Sequence, residues 1–162
     1  MKRLLTYALF MIIWLPSCNF VDECKNCFNP PSPIFIKVVN ANDTLMNLIT
    51  NGVFVKDSIK MWYMDNTTKK YVNVQIITFN FSENIIQSNA TYLTIDGEPK
   101  EFYLYLNRDN IDTIKIQVDE NYDGCCTSYQ LESITFNGTI PVFDPQDYTF
   151  LLKKEVVGKN LK

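Results

Sequence analysis

Short runs in which apolar and polar residues alternate recur along most of this chain, and after residue 18 no apolar pattern with the period of a helix extends beyond two turns. Alternation with a period of two residues is typical of strands that bury one face. The runs are rich in β-branched and aromatic residues, and turn dipeptides such as Asn51-Gly52 and Asn137-Gly138 separate them. The chain is therefore predicted to be all-β.

The predicted strands follow one another at intervals of about a dozen residues. They are 33–39, 58–64, 71–81, 91–95, 101–106, 113–118, 126–136 and 148–152, with 48–55 as a further candidate. This spacing favours an antiparallel two-sheet sandwich of the immunoglobulin-like or Greek-key type. A small closed barrel is the alternative.

The alternation also predicts which side chains point inward. In strands 71–81 and 113–118 the aliphatic residues occupy every second position, and we expect them to face the core. Strand 101–106 is apolar on both faces, because Tyr103 and Tyr105 alternate with Phe and Leu residues. This strand is predicted either to be covered on both faces or to display its tyrosines.

The start of the chain has the features of an export signal. An apolar run of twelve residues from Leu4 to Leu15 follows Lys2 and Arg3, and a membrane-spanning helix would need ~20 residues. The run ends in Leu-Pro-Ser-Cys at residues 15–18, which resembles a bacterial lipobox. The resemblance implies that Cys18 is acylated after cleavage and anchors the protein at a membrane surface. Ordinary cleavage, with Cys18 as a plain thiol, is the alternative.

The predicted organisation is a signal at 1–17, a proline-containing spacer at 18–32, a β domain at 33–152 and a basic tail at 153–162. The domain has about 120 residues, enough for a single hydrophobic core. Once the signal is removed, 13 basic residues face 18 acidic ones, a net charge of −5. Because this charge repels phosphate backbones, nucleic acid is not expected as a partner.

Besides Cys18, the chain contains two pairs of cysteines, which are Cys24 with Cys27 and Cys125 with Cys126. An exported chain meets oxidising conditions, so disulfides are expected. Pairing between the two segments is favoured, because loops of about a hundred residues would then be closed, worth ~4 kcal/mol. Which cysteine pairs with which stays open. A redox pair at Cys24 and Cys27, or a zinc site, is the alternative.

The sequence contains no histidine. This removes the commonest general base and every Ser-His or Cys-His nucleophile pair. The chain is therefore predicted not to be an enzyme. A glycan hydrolase that relies on carboxylates is the alternative.

One segment fits the first half of a calcium loop, with Asp119, Asn121 and Asp123 at alternate positions before Gly124. The twelfth position of such a loop would be Gln130, which lacks the carboxylate that usually binds there. A plain acidic turn is therefore preferred, and Ca²⁺ is the one cofactor considered.

Aromatic residues form a second candidate site. Trp62 shares a strand face with Lys60, and Tyr71, Tyr103 and Tyr105 are predicted to lie on an outer face with polar neighbours. Planar rings beside hydrogen-bonding groups suit a sugar or a protein partner. The preferred interpretation is that the rings pair across strands and only stabilise the sheet.

Two further segments, Gly-Cys-Cys-Thr-Ser-Tyr at 124–129 and Ile-Thr-Phe-Asn-Gly at 134–138, together with the lipobox-like start, resemble small lipoproteins of the Bacteroidota. The resemblance implies attachment to the outer membrane, on its periplasmic or outer face, and no particular activity. An Asp-Ser/Thr-apolar pattern at Thr44, Ser58 and Thr113 also resembles the O-glycan acceptor pattern of that phylum.

The sequence as a whole predicts a lipid-anchored β domain of the cell envelope that binds a glycan or a protein without catalysis. An accessory subunit of an outer-membrane complex is another alternative, for which we expect a large apolar patch on the surface.

Overall fold

The computed structural model describes residues 27–80, 82–96, 98, 100–123 and 126–156. Within these ranges the chain forms twelve strands in two separate sheets, and the buried side chains of both sheets form one core. The predicted all-β sandwich is thus confirmed over the closed barrel. The predicted signal 1–17 lies outside the described residues, as do Cys18, Cys24, Gly124, Cys125 and 157–162.

The described strands divide as follows. In spatial order, sheet A contains β1 (Phe28–Asn29), β10 (Cys126–Phe136), β9 (Asn110–Asp123), β8 (Lys100–Asn107), β4 (Lys60–Asp65) and β5 (Thr68–Val72). Sheet B contains β11 (Val142–Asp144), β12 (Thr149–Lys154), β2 (Ile34–Asn40), β7 (Glu83–Ser88) and β6 (Val74–Phe79), and β3 (Asp43–Asn47) pairs with the end of β2. Two 3-10 helices cover Lys56–Ser58 and Ala90–Thr94.

The core lies between the inner faces of the two sheets. Its members include Met61, Phe102, Leu104, Ile114 and Ile116 from sheet A and Ile36, Val38, Ile86 and Leu152 from sheet B, all at most 3% exposed. Burying each of these side chains contributes about 2 kcal/mol. The inward positions predicted for 113–118 are confirmed, since Lys115 between the two isoleucines is exposed.

Two strand pairs are parallel, whereas the sequence predicted an antiparallel sandwich. β1 runs parallel to β10, and β12 runs parallel to β2. Side chains alternate with a period of two in both kinds of pairing, so the pattern within a strand does not tell which direction its neighbour takes.

The predicted strand 71–81 is two strands in different sheets. β5 ends at Val72 in sheet A, and β6 begins at Val74 in sheet B. Val72, Val74 and Ile76 all pack against the core, as predicted. Because the alternation continues unbroken through Asn73, the sequence does not reveal that the chain crosses from one sheet to the other.

The predicted strand 91–95 is wrong, because this segment belongs to the 3-10 helix Ala90–Thr94 and the bend after it. The Thr94 hydroxyl donates to the carbonyl oxygen of Thr91 at 3.0 Å, and the Thr91 hydroxyl donates to that of Ser32 at 2.8 Å. Such bonds from threonine side chains to the backbone compete with strand pairing.

The candidate strand 48–55 is also wrong. The side-chain oxygen of Asn47 accepts hydrogen bonds from the backbone N–H groups of Ile49 and Thr50, both at 3.0 Å, and this bonding favours a turn. Leu48 and Phe54 are nevertheless buried. The apolar pattern of segment 48–55 therefore indicates burial and not a strand.

Strand β7 was not predicted, nor were the short β1, β3 and β11. In β7 the adjacent Ile85 and Ile86 are both buried, at 1% and 0% exposed, although they point to opposite faces of sheet B. A strand covered on both faces lacks the alternation that identifies a half-buried one.

Both ends of the predicted domain 33–152 extend further than expected. β12 continues through Lys153 and Lys154, which were assigned to the basic tail, because both residues pair with the end of β2. At the other end, β1 pairs with β10. Among the described residues, no helix is long and apolar enough to cross a membrane.

Candidate functional site

The four aromatic residues singled out from the sequence lie together on the outer face of sheet A. Their neighbours Met61, Phe102 and Leu104 point into the core, so the residues between them point outward. The strand register completes the grouping, since Trp62 on β4 stands opposite a tyrosine on each neighbouring strand. We call Trp62, Tyr71, Tyr103 and Tyr105 the aromatic cluster.

Trp62 is the centre of the aromatic cluster. Its ring stacks on that of Tyr103, with centroids 5.8 Å apart and planes 18° apart. The rings of Tyr71 and Tyr105 each lie 6.5 Å from that of Trp62, at steeper angles. Such pairs are typical of aromatic contacts in proteins, so the predicted cross-strand pairing is also present.

Lys69 completes the surroundings of Trp62. Its ammonium lies 3.6 Å from the centroid of the Trp62 ring and 5.4 Å from that of Tyr71, within the range of cation–π attraction. Lys69 comes from β5 and Tyr103 from β8, which flank β4 on opposite sides. Trp62 therefore contacts both a cation and a stacked ring.

The hydroxyl group of Tyr103 donates a hydrogen bond to Glu101 Oε1 at 2.6 Å. This bond, together with the negative charge of the Glu101 carboxylate, raises the pKa of Tyr103 above its usual value. The phenol is therefore neutral at physiological pH. The second carboxylate oxygen of Glu101 can accept hydrogen bonds from a ligand.

Lys69 and Glu101 belong to this site although the sequence analysis did not single them out. Lys69 reaches Trp62 because a two-residue turn at Asn66 and Thr67, with Asn66 at a φ of 54°, joins β4 to β5. Asn-Thr is not among the dipeptides that usually indicate a hairpin, so this register was not predicted.

The candidate calcium ligands lie in a strand and not in the predicted acidic turn. Asp119 and Asn121 are on β9, opposite Gln130 and Ser128 of β10. They share one face of the strand, about 7 Å apart along it. Asp123 ends the strand, and its side chain lies outside the described part. No group of three or more metal-ligating side chains occurs in the described ranges. Calcium binding stays a prediction.

At two places, carboxylates that could serve a hydrolase form ion pairs with lysines. Lys37 contacts Glu83 and lies 3.1 Å from Asp147, and Lys154 lies 2.8 Å from Asp112. The Lys154 ammonium balances the charge of Asp112, whereas Lys37 balances the charge of one of its two carboxylates. These arrangements have the chemistry of structural ion pairs.

The three predicted acceptor hydroxyls differ in their surroundings. Thr44 is exposed on β3. The Ser58 hydroxyl lies 2.7 Å from the carbonyl oxygen of Val55, and the Thr113 hydroxyl lies 3.2 Å from Asn137 Oδ1. Thr44 is therefore the most accessible of the three.

A disulfide joins Cys27 to Cys126, residues separated by 99 positions. The predicted pairing between the two cysteine segments is confirmed for this pair. The ring of Phe28 also packs on that of Tyr129, at 5.7 Å. The described end of the spacer is thus fastened to sheet A.

An apolar groove runs along the side of the sandwich where β10 faces β12. It consists of two cavities of about 510 and 370 Å³ that share Leu131 and Phe150. Phe143, Tyr148 and Ile140 line it and are 45%, 70% and 86% exposed. The sequence analysis did not identify the residues that form this groove.

No protein-family model, curated protein or solved structure matches the chain.

Proposed function

We propose that this chain is a non-catalytic binding domain that recognises a glycan through the aromatic cluster. The observation that carries the proposal is the convergence of three tyrosine rings around Trp62 on a solvent-facing sheet surface. Aromatic rings present a large apolar area with little conformational entropy to lose on binding, which suits the C–H faces of sugar rings.

Polar groups at the edge of the aromatic cluster support this ligand class. Glu101 supplies acceptors, and the exposed Lys60 and Lys69 supply donors. A sugar needs both, because its hydroxyl groups surround an apolar ring face. Tyr71 is 65% exposed although its ring lies beside that of Trp62. Packing in the core therefore does not account for a tyrosine at this position.

We also propose that the protein acts at the cell envelope, anchored through Cys18. The lipobox-like sequence at 15–18 supports this location. The disulfide at Cys27 supports it too, because such bonds persist in oxidising compartments.

The test is a glycan array probed with the purified protein, followed by calorimetry on the glycans that bind. Trp62→Ala and Tyr71→Ala are each expected to weaken binding about tenfold or more, as central aromatic contacts do. Tyr148→Ala is the matched control, since Tyr148 is 70% exposed and lies in the apolar groove. Circular dichroism checks that each variant is folded.

A second candidate function is that of an accessory subunit in an outer-membrane complex. The exposed side chains of the apolar groove favour it, because surface patches of this kind often mark protein interfaces. Purification of the protein from envelope extract, with identification of any partner that copurifies, distinguishes the accessory function from glycan binding. If Tyr148→Ala loses a partner while Trp62→Ala retains it and binds no less glycan than the wild type, the accessory function replaces glycan binding.

A further inference from the structure

We propose that the aromatic cluster selects acidic glycans, with Lys60 and Lys69 binding the carboxylates of uronic or similar acidic sugars. This inference rests on the proposed glycan-binding function and goes further by naming the charge of the ligand. It is carried by two lysines that lie beside Trp62 on the same face of sheet A.

The position of the two lysines follows from the strands. Lys60 precedes Trp62 by two residues on β4, so both side chains leave the same face about 7 Å apart. Lys60 also stands opposite Tyr105 on β8. Lys69 lies over the Trp62 ring. A sugar stacked against this cluster would have an ammonium group on either side.

Neither lysine has its charge balanced within the described part of the protein, where every ion pair involves Lys37 or Lys154. Lys115, a third lysine on this face, stands directly opposite Glu101. Asp119 lies on the same face farther along β9, so Lys60 and Lys69 are the lysines of this face that lie on or beside the strand of Trp62.

Lys60 and Lys69 place positive charge beside Trp62 on a protein that is negative overall, with 18 acidic and 15 basic residues. A local excess of one sign on a protein of the other sign attracts ligands that complement it and repels the rest. A neutral glycan can accept hydrogen bonds from the two ammonium groups but offers them no opposite charge. A carboxylate gains charge-assisted hydrogen bonds.

The cation–π contact of Lys69 is compatible with carboxylate binding. An ammonium group has three N–H donors, and its attraction to the ring is non-directional. A ligand carboxylate can therefore accept a hydrogen bond from Lys69 while the ammonium stays over Trp62. The ring holds the lysine in place before the ligand arrives, which lowers the entropic cost of binding.

The experiment compares acidic polysaccharides with their own neutral derivatives. Polygalacturonate, alginate, hyaluronan and polysialic acid are tested by calorimetry beside the same polymers after methyl esterification. We expect at least one acidic form to bind about fivefold to tenfold more tightly than its ester, the size that two exposed ion pairs can supply. Raising the salt from about 0.05 to about 0.5 M should remove most of this preference.

Substitutions identify the lysines. Lys69→Gln and Lys60→Gln should each reduce the preference for the acidic form, whereas Lys69→Arg should retain it. Lys70→Gln is the matched control, because Lys70 is an equally exposed lysine on the same strand that points to the other face. An equal loss with Lys70→Gln would overturn the proposal, since it would show only an effect of net charge.

The remaining outcomes separate this inference from the function on which it rests. Binding to neutral glycans that depends on Trp62 but not on charge would overturn the acidic preference and leave glycan binding intact. Binding to sulfated glycans in place of carboxylated ones would also overturn it. If neither acidic nor neutral glycans bind, both proposals fail.

Discussion

Lys37 is a cation held in a nearly closed site. It leaves the outer face of sheet B, is 8% exposed, and contacts the carboxylates of Glu83 and Asp147. Burial is the largest single influence on its pKa and lowers it, but the hydrogen bonds and charges of the two carboxylates together outweigh burial and raise the pKa above 10.5. The charged form is therefore favoured by folding.

This raised pKa predicts how stability depends on pH. The contribution of Lys37 should be fully present below pH 10.5, the pKa of a lysine in the unfolded chain, and should be lost as the pH rises through the higher folded value. Lys37→Met should lower the free energy of unfolding at pH 7 by about 2 kcal/mol, because two carboxylates are left without their cation. Urea titrations of both proteins from neutral to alkaline pH measure the difference. A difference that stays constant above pH 10.5 would contradict the assignment.

At the scale of elements, one ion pair ties the two sheets together. Asp112 on β9 is 1% exposed, and its Oδ1 lies 2.8 Å from Lys154 on β12 and 2.7 Å from the Asn137 side-chain nitrogen. β9 belongs to sheet A and β12 to sheet B. Because the carboxylate is buried, its cost of desolvation is offset by the charge of Lys154 together with the hydrogen bond from Asn137.

Lys154→Met should therefore destabilise the protein by about 3 kcal/mol. Lys153→Met is its control, since Lys153 is the exposed neighbour on the same strand and should change stability by less than about 0.5 kcal/mol. Chemical denaturation of the two variants and the wild type provides the comparison. Equal losses would show that Asp112 does not depend on its partner.

The strands show which features of the fold can be predicted from the alternation of apolar and polar residues. For β8 the structure shows the second of the two predicted alternatives, the display of Tyr103 and Tyr105. Alternation correctly predicted the inward residues of β9, because it depends only on geometry within a strand. It did not reveal that the chain changes sheets at Asn73, or that two strand pairs are parallel, because those features depend on contacts far apart in sequence. The segment 91–95 had strand propensity, but local threonine hydrogen bonds prevailed.

The candidate site was predictable to the same extent. An outward orientation for Trp62 and Tyr103 follows from the alternation along each strand. Their stacking depends on the register between β4 and β8, and the position of Lys69 depends on the hairpin turn between β4 and β5. Neither register is encoded in a motif that can be recognised in the sequence of one strand. The residues could be named, therefore, but not their arrangement.

At the scale of the whole molecule, the aromatic cluster and the apolar groove are built from different residues. The cluster lies on the outer face of sheet A, and the groove lies between β10 and β12. A glycan at the first would leave the second uncovered. Tyr148→Ala is therefore expected to be neutral for glycan binding, as stated above.

The proposed location of the protein at the cell envelope depends on Cys18. Cys18→Ala should move the protein from the membrane fraction to the soluble fraction and abolish incorporation of radioactive fatty acid. Cys24→Ala, in the same segment, is the control and should stay with the membrane. Since Cys18 precedes the described domain, the melting temperature should not change. Equal fractionation of the two variants would contradict the anchor.

The disulfide between Cys27 and Cys126 has a mechanical consequence. β1 pairs with β10 over two residues, so tension on the N-terminal side would peel it away at low force if hydrogen bonds alone held it. The covalent bond instead transfers tension to β10, which pairs with β9 from Cys126 to Phe136. A force applied on the N-terminal side of β1 is thus resisted by the long hairpin of β9 and β10. β1 would separate from sheet A only after the disulfide is reduced.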